Sequence, residues 1–277
     1  MKKIVIFLFL LLNLTLISYS QETQKILEEG KLLYRLEKAS WYGTDDMLVR
    51  FTDLRENIGG YLSYESENHK VVNIFFSKTN PYEILFRYYF DSLPQVKPYQ
   101  IDTTNHIASQ YEYDLITIRQ EALNQIKENK DDFFTFYKKT SFNLIPLIKN
   151  GKKRVFIITG PSNSGIVIIG NDYLLTYNKK NKFKKRIKIH QTMLKLPYKS
   201  EDTTNQLKLT VHSHVLSDCI SSTDICTFLL YKEFVEWKQH YVISKKYVSI
   251  FDFETENLVI LPKKAWENFY KDKNPKN

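Results

Sequence analysis

Two short runs near the carboxyl end hold the side chains best suited to chemistry. They are Val211-His212-Ser213-His214 and, after a loop of six residues, Ser221-Ser222-Thr223-Asp224. On an extended strand, His-x-His points both imidazoles to one side, because side chains alternate with period two. A helix opening near Ser221 would bring Asp224 in as a third ligand. Two imidazoles and a carboxylate, with a fourth position left to water, make the donor set of a catalytic zinc site. Each half also has an ordinary use. A strand can carry two hydrogen-bonded histidines and nothing more, and Ser221-x-x-Asp224 is what a helix start wants as a capping box at the positive end of its dipole.

The elements that must position these residues can be read from periodicity. Residues 22–50 read as helix, interrupted at Trp41 to Asp46 by Gly43 and Thr44, and residues 58–64, 70–77 and 83–90 read as strands. Helical spacing returns over 107–127 and is expected to continue through Asp131 to Tyr137. After a change at Pro146 to Gly151 the chain becomes strand-rich, with strands at 154–159, 165–169, 173–177, 183–189 and 207–212. Then follow an amphipathic helix at 224–237, strands over 240–252 and 257–261, and a short helix at 264–271. The fold class is α+β. Three parts are expected: a leader at 1–20, an N-terminal helix–hairpin–helix lobe at 21–140, and a sheet domain at 141–277.

The leader has the form of an export signal. Lys2 and Lys3 precede a nearly continuous apolar run from Ile4 to Ile17, and Ser18 and Ser20 supply small residues before a mature start near Gln21. The run is short for a membrane span. The expected destination is the bacterial periplasm or the exterior, with no stable membrane span after cleavage.

Net charge is +9 and the aromatic share is 14%, so the chain is basic and rich in core-forming residues. The basic stretch Lys179 to Arg186 sits between two strand-like runs and reads as a solvated hairpin turn; its other use would be attraction to acidic surfaces or anionic headgroups. A nucleic-acid reader would concentrate arginine in a stripe, and this chain does not. The loop Gly160 to Gly165 lacks the Lys-Ser/Thr pair and following helix of a phosphate-binding loop, so it reads as a turn. Cys219 and Cys226 bracket the Ser-x-x-Asp run, and could pair, or act as a soft ligand and a buried thiol respectively. Of the remaining histidines, His240 reads as structural and His69 and His106 as solvated, while His190 ends a strand and could approach the site.

With these residues in order, the carboxyl-terminal part resembles the JAMM/MPN+ metalloprotease family, whose signature is His-x-His, a loop, and Ser-x-x-Asp opening a helix. The resemblance covers roughly residues 150–262. It implies a mixed or antiparallel sheet with flanking helices, in a layered core like that of cytidine deaminases. It also implies zinc held by His212, His214 and Asp224, with Ser221 steadying an oxyanion, and hydrolysis of peptide or isopeptide bonds in a peptide or protein substrate. The chain departs from the pattern at three points. Val215 stands where the family has proline, the loop before Ser221 is slightly short, and no glutamate occurs between Glu128 and Glu201, with Asn163 where the general base would fall. Substitutes in that role would be Glu128, Asp131, Asp132, Asp172 or a carboxylate of the N-terminal lobe. The alternative reading is a non-catalytic binding or structural envelope protein that keeps a degenerate form of the fold.

Overall fold

The computed structural model describes the backbone of residues 2–198 and 208–273 and the side chains of 21–198 and 208–269. The export-signal reading of residues 1–20 therefore lies outside the described side chains. The chain divides into two compact units, Leu32–Lys199 on the one hand and Met1–Lys31 with Ser200–Asn277 on the other. Secondary structure is mixed α and β with mostly antiparallel sheets.

Helix α1 (Lys2–Arg50) belongs to the smaller unit up to Lys31 and to the larger one from Leu32, and runs unbroken through Trp41 to Asp46, where an interruption was expected. Gly43 stays helical because packing requires it. A Cβ there would fall 2.1 Å from Asn73 Oδ1, so only glycine lets the helix approach the neighbouring strand this closely. The first sheet holds β1 (Ile58–Glu65), β2 (Val71–Ser77), β3 (Glu83–Phe90) and β4 (Gln100–Asp102) in that order, with β5 (His106–Ile107) also paired to β3. Helix α2 (Gln110–Glu128) is closed at its start by a capping box between Ser109 and Glu112. Its Leu115 and Ile116 join Leu62, Ile74 and Phe76 in one core, and its Ile118, Ala122 and Ile126 join Val155, Tyr173 and Leu175 in another. Because α2 shares a core with strands beyond residue 140, that position falls inside one unit.

The helix does not continue through Asp131 to Tyr137. Asn129 turns left-handed at φ 31°, and its side chain both accepts from Phe134 N and donates to Phe134 O at 2.9 Å. That local ring competes with the helical ladder and ends it. The second sheet runs β10 (Phe183–Lys188), β9 (Tyr173–Tyr177), β7 (Lys152–Pro161), β6 (Thr140–Lys149), while β8 (Ile166–Gly170) pairs with β11 (Met193–Pro197). Strand β6 was not anticipated, because Pro146 argues against a central strand; it is tolerated here because β6 is the edge. The turn Asn150-Gly151, with φ of 51° and 70°, closes the β6–β7 hairpin.

The smaller unit carries His212, His214 and His240. Strand β12 (Leu209–Ser213) pairs in parallel with β13 (Gln239–Ile243), and β14 (Tyr247–Asp252) and β15 (Asn257–Pro262) continue antiparallel. A parallel pair needs a crossover, and α3 (Ser222–Tyr231) supplies it. Eight of the ten residues of α3 are buried, Thr223 through Leu230, which is the mark of a helix enclosed on nearly all sides. It ends earlier than the expected residue 237: a 3-10 turn follows over Lys232–Phe234, and the chain extends at Val235. Trp237 then packs 5.8 Å from the Phe253 ring. The single strand expected over 240–252 is two strands, joined by a tight turn in which Ser244 N donates to Tyr247 O at 2.9 Å. Helix α4 (Lys263–Lys273) closes the chain.

Candidate metal centre

Along β12, Leu209, Val211 and Ser213 face outward while Thr210 and His212 face the interior, and His214 continues that inner face one step past the strand. His214 stays in register because its N–H donates to Ile243 O at 2.9 Å. The period of two thus brings both imidazoles to the side on which α3 begins. Asp224, in the first turn of α3, meets them there. His212, His214 and Asp224 offer ligand atoms that lie within 4.8 Å of one another. His214 is 5% exposed and Asp224 1%, so this is an interior site. A buried group of histidine and aspartate side chains here could hold a metal ion.

Asp224 Oδ2 lies 3.2 Å from His214 Nε2, and Oδ1 lies 3.6 Å from His212 Nε2. Donors bound tetrahedrally at about 2.0–2.1 Å from zinc stand about 3.3–3.4 Å apart, and a charge-assisted N–H···O bond draws its atoms to about 2.7–2.9 Å. The two separations involve different carboxylate oxygens, so they admit both a metal ion and long ion pairs.

Hydrogen bonds behind the imidazoles set which nitrogen each presents. His214 Nδ1 donates to the carbonyl of Cys219 at 2.8 Å, an acceptor only, and lies 2.7 Å from Ser217 Oγ, so Nε2 is the nitrogen turned to Asp224. Ser217 Oγ reinforces that turn by donating to the same carbonyl at 2.8 Å. His212 Nδ1 lies 2.6 Å from His240 Nε2, and His240 Nδ1 lies 2.6 Å from Thr210 Oγ1. Burial, and then the neighbouring His212, hold His240 well below the usual imidazole range, so it is neutral. In the tautomer where His212 Nδ1–H donates to His240, His212 also presents Nε2 to Asp224. Outer partners of this kind fix the orientation and basicity of metal-binding histidines. His240, expected to be structural, is fully buried against the Phe228 ring at 4.4 Å and sits directly behind His212. The only sequence cue was its place at the start of an apolar strand; its role follows from the parallel register Thr210↔His240, which no local pattern reveals.

Ser221 is the N-cap of α3. Its hydroxyl accepts from Asp224 N at 3.2 Å and is 2.7 Å from Asp224 Oδ2, to which it donates; Ser221 N also donates to Oδ2 at 2.9 Å. The capping box and the His212, His214 and Asp224 cluster therefore coexist. One carboxylate oxygen holds the helix start while the other faces His212, and the carboxylate lies at the positive end of the helix dipole. The loop from His214 to Ser221 is held by Ser244 Oγ donating to Asp218 O, by Lys246 Nζ on Asp218 Oδ2 at 2.7 Å, and by Ile220 N donating to Ser249 Oγ at 3.1 Å. Cys219 and Cys226 are not bridged, and Cys226 is the buried thiol.

The other candidates belong to the larger unit and are described within it. Asp172 is buried, accepts from Thr159 N at 2.9 Å and lies 3.3 Å from His190 Nδ1. Asp131 pairs with Arg186, whose guanidinium lies 4.4 Å over the Phe133 ring, and Glu128 lies 3.4 Å from Lys130 on the surface. The basic run spans the β9–β10 hairpin turn, with Asn181 left-handed at φ 61°, and the first four residues of β10. His69 and His106 are exposed beside Glu65 and Asp102. This unit also has a cavity of about 420 Å³ lined by Phe51, Leu54, Glu56, Lys78, Glu83 and Phe86 among others, residues with no recognisable motif. Among the described residues no helix is long and apolar enough to cross a membrane. No family model, curated protein or solved structure matches this chain.

Proposed function

We propose that this chain is an exported zinc metallohydrolase acting on amide bonds of a peptide or protein substrate, with His212 and His214 binding through Nε2 and Asp224 through its carboxylate. The observation that carries the reading is the buried convergence of the His212, His214 and Asp224 ligand atoms within 4.8 Å of one another. Imidazole nitrogens and a carboxylate are the donors that zinc takes in hydrolases. When bound, zinc supplies a Lewis acid for the substrate carbonyl and acidifies a water. Thr210, His240 and the Cys219 carbonyl keep the two imidazoles aimed, and Ser221 keeps the Asp224 carboxylate from rotating. The resemblance to JAMM/MPN+ enzymes supports the choice of amide hydrolysis.

The test is cleavage. Mature protein loaded with zinc should hydrolyse members of a peptide and isopeptide library. Activity should vanish with a chelator, return with zinc, and be absent from His214→Ala. A second reading, a non-catalytic binding protein of the envelope, draws on the Ser221 hydroxyl, which donates to Asp224 rather than outward, and on Asn163 in place of a general base. A zinc-loaded protein inert towards the whole library would decide for that reading and against hydrolysis.

A further inference from the structure

Three consecutive residues of α1 each engage a different part of the metal-bearing unit. Ser222 Oγ donates to Glu29 Oε1 at 3.2 Å. Gly30 is so close to α3 that a Cβ added there would fall 2.4 Å from Ile225 Cβ and 2.9 Å from the Ser222 carbonyl oxygen. Lys31 Nζ lies 3.4 Å from Glu256 Oε2, and the other oxygen of Glu256 takes Lys232 Nζ at 2.8 Å. With 3.6 residues per turn, the residues before and after Gly30 are rotated about 100° to either side of it. The contact is therefore a bare-backbone centre flanked by two opposite charges. Its polarity suits α3. Glu29 meets the amino end, where the dipole favours an anion. Lys31 reaches the carboxylate that also holds Lys232, the residue directly after α3.

Ser222 and Ile225 stand on either side of Asp224 in the same helical turn. Whatever fixes those two fixes the aspartate. We infer that Glu29-Gly30-Lys31 is a brace that sets the first turn of α3, and with it Asp224, so that the amino-terminal helix is a required positioning element for the Asp224 carboxylate. This rests on the metal reading of that group. Glu29 acts through Ser222 and is a positioning residue. Packing without that role would change stability alone and leave metal affinity and local order at Asp224 untouched.

The experiment uses the full mature chain as wild type, Glu29→Gln, Gly30→Ala and Ser222→Ala. Zinc affinity is read by chelator competition, and the amides of Asp224 and Ile225 are followed by hydrogen exchange in the metal-free protein. Gly30→Ala should bind zinc about 10- to 100-fold more weakly, the range for loss of outer-shell support. Ser222→Ala, which removes the hydrogen bond, should lose about 10-fold; Glu29→Gln, which keeps an oxygen to accept from Ser222 and loses only the charge, should lose less. Exchange at Asp224 and Ile225 should rise in Gly30→Ala and Ser222→Ala. Should Gly30→Ala fail to fold, Ser222→Ala decides alone, because it removes a single hydroxyl. Wild-type affinity and unchanged exchange in Ser222→Ala would overturn the brace while leaving the metal reading intact. A wild type that takes no zinc would overturn the metal reading, and the exchange arm would still judge the brace.

Discussion

Asp224→Asn distinguishes a metal ligand from a helix cap, because asparagine keeps the shape and one carbonyl oxygen to accept from Ser221 N while removing the charge. In the capping account the change costs about 1 kcal/mol or less, whatever the zinc concentration. The metal account predicts a different dependence. Zinc held at about 1,000 times the dissociation constant stabilises the wild-type unit by about 4.1 kcal/mol. Loss of a direct ligand should weaken binding at least as much as loss of an outer partner, about 100-fold. The same zinc would then contribute only about 1.4 kcal/mol, so the zinc-dependent difference is about 2.7 kcal/mol. For a chain of this size that is about 5–11 °C in melting temperature. The assay is thermal unfolding of wild type and Asp224→Asn with zinc and with chelator. The variant should track the wild type in chelator and fall well below it in zinc. An equal offset in both conditions would refute the ligand role and leave Asp224 as a cap.

Other consequences are equally specific. His240→Phe should fill the space beside Phe228 yet cost about 10- to 100-fold in zinc affinity, measured calorimetrically, since it leaves His212 Nδ1 without its outer partner. Gly43→Ala should destabilise the larger unit by about 1–3 kcal/mol in urea unfolding, because its methyl would meet Asn73 at 2.1 Å; at an open helical site the same change would stabilise by up to about 1 kcal/mol. Burial raises the Glu37 carboxyl from 4.5 to about 7, against the opposing effects of the Trp41 hydrogen bond and the Arg119 charge. The unfolded chain loses this proton first, so stability should fall as pH rises from about 4.5 to about 7, by about 3 kcal/mol, and level off above. Glu37→Gln should flatten that interval, and an unaltered pH profile would count against the buried, neutral carboxyl.

Local chemistry made much of this legible. The alternation of His212 and His214 and the capping signature of Ser221 and Asp224 bring these three side chains together, because both patterns act over a few residues. The strands at 58–64, 70–77, 83–90 and 173–177 also follow from alternation and burial. What sequence alone misses is set by contacts distant along the chain. Gly43 looks like a helix breaker until Asn73 is seen against it. Pro146 hides β6 because edge position is a property of the sheet. The continuation of α2 was lost to Asn129, whose side chain closes a ring on Phe134. His240 and the Glu29-Gly30-Lys31 contacts were invisible for the same reason: each acquires meaning only from strand register or helix packing.

The central claim, that His212, His214 and Asp224 together grip one divalent ion, is met most directly by metal content and coordination in the purified mature protein. Elemental analysis should find about one zinc per wild-type chain and almost none in the His212→Ala/His214→Ala double variant. Cobalt substituted for zinc should give an absorption spectrum of tetrahedral type in the wild type alone. Negligible metal in both proteins, or equal metal in both, would contradict the account.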